Sequence, residues 1–136
     1  MTDLYLCPEA EDELDALYET DEETASLIDV LLEELAGDQD MLGRLFRPNN
    51  HFLYMPPFEI KVFAEARKRG KNIFILKVRN DEGELLNHRV LVAYHAQKDR
   101  YHVLTVANRE ISYDTSDPLF EAVLQRYERC GVPDYR

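Results

Sequence analysis

Lys77, Arg79, Arg89, His95 and Arg109 all fall at odd positions in or beside three short apolar runs: Ile73 to Val78, Arg89 to Tyr94, and Tyr101 to Ala107. If the runs are strands, side chains alternate between two faces and these five share one of them. Cations gathered on one face repel each other, which suggests an anionic ligand. The alternative is a solvated strand face carrying scattered Lys and Arg. Histidine is a common acid or base, so His95 would suit either role, although a lone strand histidine can equally be structural. Arg67-Lys68-Arg69-Gly70-Lys71 precedes the first run. It reads either as a basic turn able to grip phosphates or as a solvated loop.

The elements that must position these residues follow from composition. The three runs are rich in Val, Ile, Phe and Tyr, and Asn80-Asp81-Glu82-Gly83-Glu84 and Gln97-Lys98-Asp99-Arg100 separate them. That pattern predicts three sequential antiparallel strands. Phe74, Leu76, Val78, Val90, Val92, Tyr94, Leu104 and Val106 then form an apolar floor. His88 and His102 fall on the floor's parity. Upstream, Leu4 to Leu6 reads as an edge strand. Pro8 suits the first turn of a helix carrying Ala10, Leu14, Leu17 and Tyr18. Thr20 and Glu23 resemble a capping box that starts a second helix with Ile28, Leu31, Leu32 and Leu35, and Gly37 ends it. The two helices form a hairpin with acidic outer faces, expected to cover the floor including Leu104. Met41, Leu42, Leu45 and Phe46 fit a short helical turn, and Phe52 to Met55 a packed loop. Phe58, Ile60 and Val62 lean towards extended structure. Asp117-Pro118 starts a last helix lined by Phe120, Val123, Leu124 and Tyr127, which Gly131 can stop.

The 136 residues suit one α+β domain spanning 1–136, and 45% hydrophobic with 32% charged residues suits a soluble globular protein. No membrane span or signal peptide is evident, so a cytoplasmic location is expected. Cys7 and Cys130 read as separate thiols with no metal-like spacing. No metal or other cofactor is expected. The net charge of -11 argues against general nucleic-acid binding. Its distribution weakens that argument: residues 1–40 hold 15 Asp or Glu and no Lys or Arg, whereas residues 41–110 hold 13 Lys or Arg against 7 Asp or Glu. One face could meet a polyanion while another meets a basic partner. Glu9, Glu11, Asp12, Glu13 and Asp15 read as solvated surface.

Several phrases together carry a resemblance. Leu6 to Leu14 is similar to the opening strand and first helix of the RelE/ParE toxin superfamily. Phe74 to Arg79 is similar to its first central strand, Arg89 to Tyr94 to its arginine-led strand, and Val103 to Glu110 to the next strand with a closing arginine, followed by Tyr113. The resemblance implies an N-terminal strand and helical hairpin packed on a twisted antiparallel sheet, here with a C-terminal helix. RelE-like members cleave messenger RNA in the ribosomal A site. ParE-like members inhibit DNA gyrase. Both are held inactive by a cognate antitoxin. The resemblance therefore implies a toxin of a type II toxin–antitoxin system, an endoribonuclease acting on mRNA at the ribosome. The alternatives are a gyrase inhibitor or a non-catalytic interaction protein on the same fold. A lysine found in some of the nucleases is Ile75 here.

By that resemblance Lys77, Arg89, Arg109 and Tyr113 form the working set, and Arg79 with His95 and the basic turn of Arg67, Lys68, Arg69 and Lys71 bind RNA. Cleavage through the 2′-hydroxyl needs a base, cations to hold the phosphorane charge, and an acid for the leaving 5′-oxygen. Lys77 could serve as base if Arg79 and Arg89 depress its pKa. Arg89 suits a bidentate phosphate clamp, and Arg109 could stabilise the leaving group. Tyr113 could stack on a base or transfer a proton.

Overall fold

The computed structural model describes residues 3–38 and 58–134. The expected helical turn near Met41 and the loop around Phe52 lie outside them. The elements are β1 (Asp3–Leu6), α1 (Pro8–Thr20), α2 (Glu22–Gly37), β2 (Phe58–Val62), α3 (Ala64–Arg67), β3 (Ile73–Arg79), β4 (Leu85–His95), β5 (Arg100–Asn108), α4 (Arg109–Ser112) and α5 (Pro118–Arg129). The fold class is α+β. The sheet runs β1-β5-β4-β3-β2 and is mixed rather than antiparallel throughout. β2 to β5 pair antiparallel, but β1 lies parallel to β5. β1 and β5 are the first and last strands in the chain, so no tight turn joins them and a parallel pair is possible.

Local sequence accounts for the boundaries. Pro8 opens α1, and Asp117 accepts from the Leu119 amide to cap α5. The cap of α2 is Asp21, whose carboxylate accepts from the Thr24 amide, so the expected Thr20–Glu23 box is displaced by one residue. In the β3–β4 turn the Asn80 side chain accepts from the amides of Glu82 and Glu84. Gly83 there takes φ +82°, a value that L side chains rarely adopt.

One core lies between the hairpin and the sheet. Leu14, Leu17, Ile28, Leu31 and Leu35 meet Leu76, Val90, Val92 and Val103 in it. Each such side chain contributes roughly 1.5–3 kcal/mol by leaving water. A second core fills the other face, where Phe120, Val123, Leu124 and Tyr127 of α5 cover Ile73, Ile75, Leu91 and Leu104. The face expected to carry cations is therefore half apolar and half charged.

Leu104 departs from its expected place. Thr105 pairs with Leu91 and Val103 with Val92, which leaves Leu104 as an extra residue in β5. Such a bulge reverses the facing of everything on its far side. Val103 and Tyr101 thus turn to the hairpin, while Leu104 and His102 turn to the α5 side. An edge is left open where β1 ends. Glu13 of α1 closes it, accepting from Thr105 Oγ1 at 2.8 Å and from the Val106 amide at 3.2 Å. Arg126 of α5 binds both Glu13 oxygens and the Leu104 carbonyl. Glu9 likewise forms a two-pronged pair with Arg129. These two carboxylates tie α1 to α5 and are not the solvated surface their sequence context suggests.

Candidate functional site

The charged half of the α5-side face is built on one cross-strand pair. Lys77 of β3 stands directly opposite Arg89 of β4, which brings their Cβ atoms to about 4.5–5.5 Å. Like charges in that position destabilise a sheet. Nearby carboxylates do not neutralise the pair. Glu59 of β2 is the other register partner of Lys77, but its carboxylate is ion-paired with Arg79. Arg79 also donates to the Gly83 carbonyl, so it is anchored to β2 and to the turn.

Arg89 is only 4% exposed, and most of its guanidinium is committed. Two extra residues in β4 separate the Lys77–Arg89 pair from the Arg79–Leu85 pair. The carbonyls of Leu86 and His88 in that irregular stretch accept from Arg89 Nη1. Arg89 Nε donates to the Tyr113 hydroxyl at 2.9 Å. Only Nη2 has no partner among the described residues. The bidentate clamp expected of Arg89 is therefore unavailable; the group presents one nitrogen and a fixed charge. Tyr113 reaches it because α4 folds the chain back after β5, with Asn108 capping the Glu110 amide. Lys61 Nζ lies 5.4 Å from the centre of the Tyr113 ring, and the Arg89 guanidinium carbon lies 5.9 Å from it. Two cations so close to the ring hold it by attraction to its π face.

Lys61 enters from β2, in register with Ile75. It is exposed. The Lys77 pKa is lowered, chiefly by burial, then by the charges of Lys61 and Arg89, with Tyr113 and Glu59 opposing. Arg79, expected to share in this, is not among the main causes. A lysine crowded in this way holds an uncharged amine more readily than a free one, which is what proton acceptance requires.

The pairing of cations separates this cluster from most others among the described residues. Lys68, Arg69, Lys71, Arg79, Arg126 and Arg129 each contact a carboxylate. Lys61, Lys77, Arg89 and Arg109 have none within 4 Å among the described residues. In a chain of net charge -11, Lys61 and Arg89 thus stand unpaired at the Tyr113 ring, with Lys77 across from Arg89. Lys98 and Arg100, at the opposite end of the sheet, also lack a carboxylate there, and Arg100 lies over the Tyr5 ring.

Of the expected site residues, Lys77, Arg89 and Tyr113 come together. Arg109 is exposed at the start of α4, and its carbonyl accepts from the Tyr113 amide. It stands one turn from Tyr113 on the same side. The basic turn does not join them. Lys68 pairs with Glu65 and Arg69 with Glu121. Lys71, 8% exposed, binds Glu128 and Asp134. Its pKa is raised, first by Asp134, with burial opposing and Glu128 adding. This turn fastens α3 to α5. His95 shares the parity of Arg89 but lies six residues along β4, roughly 20 Å away. It is buried beside Arg100, and its Nδ1 accepts from the Lys98 amide. It belongs to the far end of the sheet and not to the cluster.

Glu59 and Lys61 escaped sequence reasoning. The alternation of Phe58, Ile60 and Val62 already placed both on the opposite face of an extended segment. No family model, characterised protein or solved structure matches this chain.

Proposed function

We propose that the chain is the toxin of a type II toxin–antitoxin system of the RelE/ParE kind, and that it cleaves messenger RNA at the ribosome without a metal. The observation that carries this reading is the unneutralised Lys77–Arg89 pair, with Lys61 and Tyr113 against it, in a strongly acidic protein. The order of strand, helical hairpin and antiparallel meander also supports it.

In this reading the uncharged Lys77 amine accepts the proton of a ribose 2′-hydroxyl. The 2′-oxygen attacks phosphorus, the bond to the 5′-oxygen breaks, and a 2′,3′-cyclic phosphate and a free 5′-hydroxyl result. Lys61, Arg89 Nη2 and Arg109 hold the charge that builds on the phosphorane oxygens. The Tyr113 oxygen is engaged by Arg89 Nε, so its own proton is available to the leaving 5′-oxygen. The antitoxin is then an acidic segment laid over Lys61, Lys77, Arg89 and Arg109.

Single-turnover cleavage of messenger RNA on programmed ribosomes tests the proposal. Lys77→Gln should lower the rate about 10²–10³-fold, the usual loss when a proton-transfer group or a charge-stabilising donor is removed. Wild-type rates in Lys77→Gln refute the assigned role. Absence of cleavage by the wild-type protein, with early loss of thymidine uptake on induction, moves the chain to the gyrase-inhibitor alternative.

A further inference from the structure

Away from the cation cluster, α2 and the end of β3 enclose a groove of about 180 Å³. An engineered apolar cavity of about 150 Å³ accepts a benzene molecule, so this groove has room for one large aliphatic or aromatic side chain. Leu27, Val30, Leu31 and Val78 make its apolar walls. Val30 is 51% exposed, more than any other large apolar side chain among the described residues. Leu27 is only partly buried beside it. Glu34 and Asp81 stand at the rim. Arg79 lines the groove as well, and its Nε is buried with no hydrogen-bond partner.

The charge around the groove indicates what would fill it. α2 carries Glu22, Glu23, Asp29, Glu33 and Glu34 and no Lys or Arg. Tyr18 donates to Asp29, but no salt bridge within 4 Å reaches the others among the described residues. Glu33 and Glu34 lie near the C-terminal end of the helix, where its dipole is already negative and where cations are favoured. An apolar slot beside unneutralised carboxylates at the wrong end of a helix is complementary to a basic amphipathic segment. Such a segment places an apolar side chain in the slot and sets Lys or Arg against Glu34 and Asp81.

We infer that this groove is a docking site for a basic amphipathic segment of a protein partner, anchored by one apolar side chain between Leu27, Val30 and Val78. The site lies on the hairpin side of the sheet, opposite the cation cluster. A partner can therefore occupy it while an anionic ligand occupies Lys77 and Arg89. The inference does not depend on nuclease activity.

Fluorescence anisotropy with the full chain tests it. The probes are a short labelled Leu/Lys peptide of amphipathic spacing, the same peptide with its Leu residues changed to Ala, and a Leu/Glu peptide of identical spacing. Saturable binding of the Leu/Lys peptide is expected, weakened about tenfold or more by the loss of its anchors and by Val30→Lys or Glu34→Lys in the protein. Both protein positions are exposed, so the variants keep the fold, which a thermal melt checks. Equal binding by wild type and Val30→Lys would reduce the effect to diffuse acidic charge and overturn the inference. So would no binding of the Leu/Lys peptide, preference for the Leu/Glu peptide, or a dimer in sedimentation that Val30→Lys dissolves, which would make a second copy the occupant.

Discussion

Replacing Tyr113 by Phe removes one oxygen and keeps the ring on which Lys61 and Arg89 lie. The lost atom is the acceptor of Arg89 Nε at 2.9 Å, and Arg89 is 4% exposed. A hydrogen bond to a charged group contributes about 1.5–3 kcal/mol, and a buried donor left without an acceptor costs about 1–3 kcal/mol. Tyr113 itself is only half-buried, so water can replace part of what is lost. The expected destabilisation is about 2 kcal/mol, which shifts the folding equilibrium about 30-fold. For a chain of this size it lowers the melting temperature by roughly 6–8 °C. Urea titration supplies the free energy, and a double cycle with Arg89→Ala supplies the coupling between the two residues. A loss below about 0.5 kcal/mol, or a cycle without coupling, would show that Tyr113 does not position Arg89. The argument from that hydrogen bond would then fail.

Three other outcomes follow from the same geometry. Lys61→Gln should raise the Lys77 pKa, read from the carbon-13 shift of its ε-carbon; because burial is the larger cause, the value should not return fully to that of a free lysine. With its folded pKa lowered, Lys77 binds fewer protons in the native than in the unfolded state between the two values, so its contribution makes stability rise with pH across that window, and Lys61→Gln should flatten the rise seen in denaturation. Glu9 is held down to about 2, first by its hydrogen bonds from Arg129, so the stability it contributes is lost as pH falls from about 4.3 through about 2; Glu9→Gln should shrink the difference in melting temperature between pH 5 and pH 2, and an unchanged difference would exclude the pair as its source. Leu104→Ala should cost about 2–5 kcal/mol by opening a cavity under α5, and a near-neutral result would contradict its burial in the second core.

Much of the fold was legible because periodicity and punctuation agreed. The alternation at Phe74, Leu76, Val90 and Val92 placed these residues correctly, and Pro8, Asp117 and Gly131 marked helix ends. Parity failed at the bulge, where one extra residue in β5 moved Leu104 and His102 to the other face. No residue type announces a bulge, so a single-sequence reading cannot see it. In the site, type and parity found Lys77 and Arg89. They could not separate cations that are free from cations that are paired. Arg69 and Lys71 look as available as Lys61 in sequence, but their carboxylates come from Glu121, Glu128 and Asp134, some 50 or more residues away. His95 shared a face with the cluster yet not a location, because parity carries no information about position along a strand.

The ion pairs that tie α1 to α5 set an order of events during synthesis. Glu13 meets Arg126 across 113 positions and Glu9 meets Arg129 across 120, so these contacts form only when the last helix exists. Contacts so distant in sequence slow folding. At about 5–20 residues per second, the stretch between Leu104 and Tyr127 takes roughly one to five seconds to make. Throughout that interval Ile73, Ile75, Leu91 and Leu104 have no cover from α5, while Lys61, Lys77 and Arg89 are already in the chain. A product terminated before Pro118 would keep the cluster's residues on a sheet whose apolar half is bare, and that bare surface makes it prone to aggregation.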